Sequence, residues 1–267
     1  YNALGFDLKF VPARGLLSFL LAYRFNVDMF EQEAYGAYNR LGHAFTFKAD
    51  WRFFPQTSFW FQASTGYTDF IRDANTTNGH QDIVPFRALV GLTGRFTKRL
   101  TVDAGIGYGG GYMMGRDATM YHNAVAHAGL TVAFTPTING GLGYRHDFGD
   151  SLIGDIFQTD SAYIKLNMAF FSRLIVSASF AWTLANYQGM DSDGMSGGSC
   201  TGTECTRKDN WLQVSVGADY YFLKWLSLGA SYDLFGNISD FESTFGGVPV
   251  VSPGFIKQRI LARVVLY

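Results

Sequence analysis

Gly15-Leu-Leu-Ser-Phe-Leu-Leu-Ala-Tyr-Arg-Phe-Asn-Val-Asp-Met-Phe30 decides how this chain is read. Leu17, Phe19, Leu21, Tyr23, Phe25, Val27 and Met29 share one parity, and Ser18, Ala22, Arg24, Asn26 and Asp28 share the other. Successive side chains of a strand point to opposite faces, so the segment predicts a strand with one oily face and one that holds charge. A soluble sandwich must bring its oily faces together in a core. Here charges lie mid-strand on the polar face and aromatics lie at both ends of the oily one. That pattern is expected when lipid lies outside and water inside.

Working outward, the alternation recurs in Asn2–Val11, Leu41–Phe53, Ser58–Phe70, Val84–Phe96, Leu100–Tyr112, Tyr121–Phe134 and Ile138–His146. It continues in Ser161–Phe171, Leu174–Leu184, Trp211–Tyr221, Trp225–Asp233 and Phe255–Tyr267. The segments amount to about 13 strands, each near the roughly ten residues that a tilted strand needs to cross a bilayer. Short turns such as Pro12-Ala-Arg-Gly15, Pro55-Gln-Thr57 and Thr135-Pro-Thr137 alternate with longer polar loops. The expected fold is therefore all-β: a transmembrane antiparallel up-and-down β-barrel of about 12–14 strands in a single domain over residues 1–267. Turns are expected in the periplasm with the C-terminus, and long loops outside the cell. Bacterial single-chain barrels have even strand numbers, so the odd count leaves three accounts open. An upstream strand precedes the visible chain, one segment is overcounted, or the first segment is an arm or plug.

Composition agrees. Charged residues make up 16% of the 267, where a soluble domain carries about 25%, and aromatics reach 17%. The net charge of -1 implies no general attraction to nucleic acid. No run approaches the roughly 18 apolar residues of a transmembrane helix. Nor is there a basic segment followed by an apolar one, so a signal peptide, if the protein is exported, has already been removed.

The two parities assign the faces. Outward are Leu41, Phe45, Phe47, Ala49, Trp51 and Phe53, and again Leu174, Val176, Ala178, Phe180, Trp182 and Leu184. Aromatics near the turns (Phe53, Phe54, Phe96, Phe134, Phe171, Phe222, Trp225) and near the loops (Tyr67, Tyr108, Tyr112, Tyr144, Trp182, Tyr187) predict two interfacial girdles. The candidate lumen-lining residues are Arg24, Lys48, Asp50, Arg52, Arg87, Arg95, Asp103, Arg145, Lys165, Asp219 and Arg259. Glycines fill much of the remaining inward parity, as in Gly105, Gly107 and Gly109. Basic residues predominate on this face, which would favour anionic solutes. The competing account is that these charges pair and stiffen the wall. Arg263 shares the parity of Tyr267, which puts a charge where the final strand is expected to be apolar.

As a pattern over nearly its whole length, the chain resembles bacterial outer-membrane β-barrel proteins. Gly143-Tyr-Arg-His-Asp-Phe-Gly-Asp-Ser-Leu152, with Tyr163 and Arg173-Leu-Ile-Val176, is similar to barrels of deltaproteobacteria and their relatives. That resemblance implies service in polysaccharide export or surface motility.

Chemistry has little to rest on. The His-x-Ser spacing of outer-membrane phospholipases does not occur, and the paired Asp-Asp and His-Asp sets of omptin proteases cannot be assembled. His146 and His127 are the histidines an enzyme would use. Cys200 and Cys205, in a Gly/Ser-rich loop, suit a local disulfide; free thiols and a metal site are the alternatives, and no His lies near enough to complete a zinc set. No catalytic site, metal or cofactor is expected. Two functions remain: a channel for small hydrophilic solutes or a polymer through a polar, net-basic lumen, and a non-conducting barrel that anchors a multi-protein envelope machine. The outer-membrane bilayer is the expected partner in both, with envelope proteins in the second and nucleic acid in neither.

Overall fold

A computed structural model describes residues 2–29, 39–71, 82–114, 120–150, 156–171, 173–188, 198–199, 207–223, 225–239, 243–245, 248–250 and 254–266. The strands are β1 (Asn2–Phe10), β2 (Leu17–Asp28), β3 (Arg40–Phe54), β4 (Thr57–Phe70), β5 (Asp82–Arg95), β6 (Leu100–Met114), β7 (Met120–Thr135) and β8 (Ile138–Asp150). They continue as β9 (Ile156–Phe170), β10 (Leu174–Gln188), β11 (Gly198–Ser199), β12 (Arg207–Leu223), β13 (Leu226–Ser239), β14 (Ser243–Phe245), β15 (Val248–Val250) and β16 (Phe255–Leu266).

Thirteen of these form one antiparallel sheet in the order β1-β2-β3-β4-β5-β6-β7-β8-β9-β10-β12-β13-β16. Every long strand pairs with its sequence neighbour, which is the up-and-down topology. β1 pairs with β2 along its whole length, from Asn2↔Val27 to Phe10↔Phe19. The first segment is thus a wall strand, neither overcounted nor a plug. β1 and β16 end the sheet and run in the same direction. The short strands form a second sheet, β11-β14-β15, in which Gly198 pairs with Phe245. This ties together the connections that follow β10 and β13. Those connections are shorter than the alternation suggests, because β10 runs to Gln188 and β12 starts at Arg207.

Short connections follow β1, β3, β5, β7, β9 and β12, so they share one end of the sheet. Turn chemistry explains their tightness. Gly15 adopts φ 86 after Arg14 at φ 54. The Thr97 hydroxyl accepts the amides of Arg99 at 3.2 Å and Leu100 at 3.0 Å. Arg14 and Phe171 (φ 51) are the non-glycine left-handed residues among those described, and both lie in short turns. A left-handed non-glycine residue costs about 1–2 kcal/mol.

The accessible surface is 17398 Å² for 29.6 kDa. A compact monomer of that mass exposes about 11,600 Å². A curved sheet with both faces open contributes to the excess. Its convex face is apolar: Phe6, Phe45, Ile106, Leu142, Ile164 and Ile260 are all exposed. The final strand fits this rule, with Ile256, Ile260 and Val264 outward and Arg263 opposite Gly229 on the inner face.

Candidate functional site: the inner face

The inner face identifies itself by contacts between strands that are not neighbours, which only a concave surface permits. Trp60 of β4 stacks on His127 of β7 with centroids 5.5 Å apart and planes at 9°. Arg87 of β5 donates to Asp147 of β8 at 3.0 Å and to the Phe148 carbonyl.

The first contact explains the glycines. On β5 and β6, Gly91 and Gly105 lie between Trp60 and His127, and a Cβ at either would sit inside the indole. Likewise a Cβ at Gly109 would meet the Phe148 ring at 2.8 Å, and one at Gly143 would meet the Tyr163 phenol at 2.5 Å. These glycines are floor for large side chains that lie flat on the wall, a known use of glycine within strands. The sequence placed Gly105, Gly109 and Gly143 at inward parity as small residues, and the structure adds the large side chains that cover them.

Trp60, Ile83, Leu89, Met113, Val125 and Phe148 form a buried apolar cluster on this inner face, with Tyr121 packed against it. Alternation would turn Phe148 outward. However, the pairing of β8 with β7 ends at Ala126↔His146, while its pairing with β9 runs on to Asp150↔Ile156. Released from β7, the tip of β8 bends inward, and Phe148 is only 6% exposed. Its ring lies 4.2 Å from the Arg87 guanidinium carbon. Beside the cluster, Trp60 Nε1 donates to the Thr93 hydroxyl at 3.2 Å, Thr93 donates to Asp103, and Asp103 lies 3.1 Å from His127 Nε2.

The register places each sequence-predicted residue. Arg24 donates to Asp7 at 2.6 Å. Lys48 Nζ lies 3.4 Å from Asp50 and 5.4 Å from the Trp60 ring centre. Asp219 is held by Arg263, and Asp233 by Arg259 at 2.9 Å. Lys165 lies over the Tyr163 ring at 4.8 Å. Arg52, Arg95 and Arg145 are exposed and hold no carboxylate among the described residues. Asp7, Asp28, Asp50, Asp103, Asp147, Asp209, Asp219 and Asp233 each meet a cation or an imidazole. Cys200 and Cys205 lie outside the described residues.

Sequence reading missed a second buried node. Arg207 grips Asp209 with two nitrogens, one at 2.9 Å, and Asn237 donates to the same carboxylate at 3.1 Å. Arg207 is 6% exposed and Asp209 is fully buried. Tyr187 lies 4.7 Å from the Arg207 guanidinium, so it belongs to the inner face and not to the loop-side girdle. The signal was present, since Tyr187, Arg207 and Asp209 share inward parity through the pairs Tyr187↔Arg207 and Ala185↔Asp209.

The histidines have neighbours of their own. His146 Nδ1 meets Asp160 at 2.8 Å and its Nε2 lies 3.4 Å from the Asn123 amide. Neither His146 nor His127 meets a hydroxyl among the described residues.

The chain has the fold of a bacterial outer-membrane β-barrel. No family model matches it, and no curated protein does. Among solved structures it is similar to the FrpB iron transporter from Neisseria meningitidis, with a TM-score of 0.56 and 10% identity over 93% of this chain. It spans 45% of the FrpB chain. The CymD monoaromatic hydrocarbon channel aligns at a TM-score of 0.48 and 10% identity over 98% of this chain and 82% of its own. A ferric enterobactin receptor from Pseudomonas aeruginosa aligns at 0.48 and 11% identity over 88% and 50%.

Proposed function

We propose that this chain is an outer-membrane barrel that passes small hydrophilic solutes, or a polymer, through a polar interior that favours anions. One observation carries the reading. Apart from Asp103, which meets an imidazole, the described inner-face carboxylates each lie against an arginine or lysine, whereas Arg52, Arg95 and Arg145 hold no carboxylate among the described residues. The uncompensated charge along the interior is therefore positive, and fixed charge in a low-dielectric channel concentrates counter-ions. Likeness to an iron transporter accords with transport as the class. Turns and C-terminus face the periplasm in this reading, long loops face outward, and no catalytic step is involved.

Purified protein in planar bilayers tests it. A steady open current with anion preference is expected. The R95Q/R145Q double variant should lower the anion-to-cation permeability ratio and leave the fold intact, because neither side chain is part of an ion pair among the described residues. Absence of current would overturn the channel.

The buried inner cluster favours a second reading, a non-conducting barrel that anchors an envelope machine. It fills part of the interior and braces non-adjacent strands. Lack of current, together with stable co-purification of particular envelope proteins, would select it.

A further inference from the structure

The two ends of the barrel treat charge differently. At the loop end, Arg40, Arg87 and Arg207 each hold a carboxylate, and Lys208 is exposed without an ion pair among the described residues. At the turn end, Arg14, Lys98, Arg99 and Arg173 are exposed and none makes an ion pair among the described residues. The sequence carries the same asymmetry into the connections. Every charge in the short turns is basic, whereas the long connections are predominantly acidic, as at Glu31, Glu33, Asp191, Asp193, Asp240 and Glu242.

Apolar rings share the level of these cations. Phe10, Phe54, Phe96, Phe134 and Trp225 are each at least half exposed, and Phe171 is 93% exposed. Phe171 and Arg14 are the two side chains that left-handed backbone projects from the turns. Rings at the depth where hydrocarbon meets headgroups, with cations just beyond, match the chemistry of a phospholipid surface. The cations come from three separate hairpins and the rings from all six. That distribution follows a membrane plane around the rim and does not form the single patch that an acidic protein would need.

We propose that the short-turn rim is a collar that binds the phosphate headgroups of anionic glycerophospholipids in the leaflet it faces. The proposal rests on the outer-membrane reading but not on conduction, since a closed barrel needs the same anchorage.

Native mass spectrometry of the full chain tests it, with phosphatidylglycerol, phosphatidylcholine of the same acyl chains, and lipid A as probes. Phosphatidylglycerol should be retained roughly tenfold or more over phosphatidylcholine at low salt, because each cation near an anionic surface contributes independently. The preference should collapse near 1 M salt, where screening reaches only about 3 Å. The R14Q/K98Q/R99Q/R173Q variant should lose it while retaining heat-modifiable barrel mobility on gels. K208Q, at the loop end, should retain it. Equal retention of the two phospholipids, a preference that survives the quadruple variant, or stronger retention of lipid A would overturn the collar. Insertion into vesicles separates the two readings: a chain that enters bilayers without headgroup preference refutes the collar alone, and one that enters none refutes the membrane reading as well.

Discussion

The inner wall from β4 to β8 and the inner wall from β10 to β16 solve the same problem in different ways. Each must hold a curved sheet whose outer face gains nothing from burial against protein. The first places apolar mass inside, with Trp60 laid over Gly91 and Gly105 and Phe148 folded back from the β8 tip. Its contacts span three strands. The second relies on polar pairs between strands one or two apart, with Arg263 reaching over Gly229 to Asp219 and Arg259 reaching Asp233. The contrast shows that stiffness inside a barrel depends on what is withdrawn from water. Buried side chains contribute steadily, while ion pairs that remain wet contribute little.

The largest test of this comparison is Trp60→Ala. It should cost about 3–5 kcal/mol in urea unfolding, the range for removing a buried aromatic. Gly105→Val, which drives a methyl into the indole, should be severe in the wild-type background and nearly neutral in the Trp60→Ala background. Additive costs would show that glycine and tryptophan are not coupled.

Arg207→Leu comes next and tests the exception within the second wall. It leaves Asp209 fully buried without its cation, so a loss of about 3 kcal/mol is expected. The Asp209→Asn/Arg207→Leu double variant should recover part of it. A loss below 1 kcal/mol, on the order of an exposed pair, would make the second wall uniform. Smallest is Arg263→Gln, whose guanidinium side chain is 59% exposed. It should change stability by less than about 1 kcal/mol and become indistinguishable from wild type in high salt. A larger effect would mean that the edge strand β16 depends on this pair, and the contrast would fail.

Legibility in the sequence followed the range of the interaction. The strands, their order and their faces were readable because alternation is local: Leu17 to Met29 states its own face without reference to any other strand. Short turns were readable for the same reason, through Pro12, Pro55, Pro136 and Gly15. Trp60 was not. It sits at polar parity between Ser58 and Gln62, and its place is made by glycines more than thirty residues away. Phe148 was not legible either, because it lies past the alternating segment that ends at His146, where β8 loses β7.

The pairing of charges was the least legible feature. A count of inward residues shows more bases than acids, but only the register shows that Asp219 meets Arg263 and that Arg95 meets no carboxylate among the described residues. By itself the sequence determined an up-and-down barrel with a lipid-facing wall, because hydrophobic alternation and turn chemistry act over a few residues. Tertiary structure alone decided which inner residues are buried, which are neutralised and which cations stay free. Those outcomes depend on curvature, which brings β4 to β7 and β5 to β8 and has no signature within any one strand.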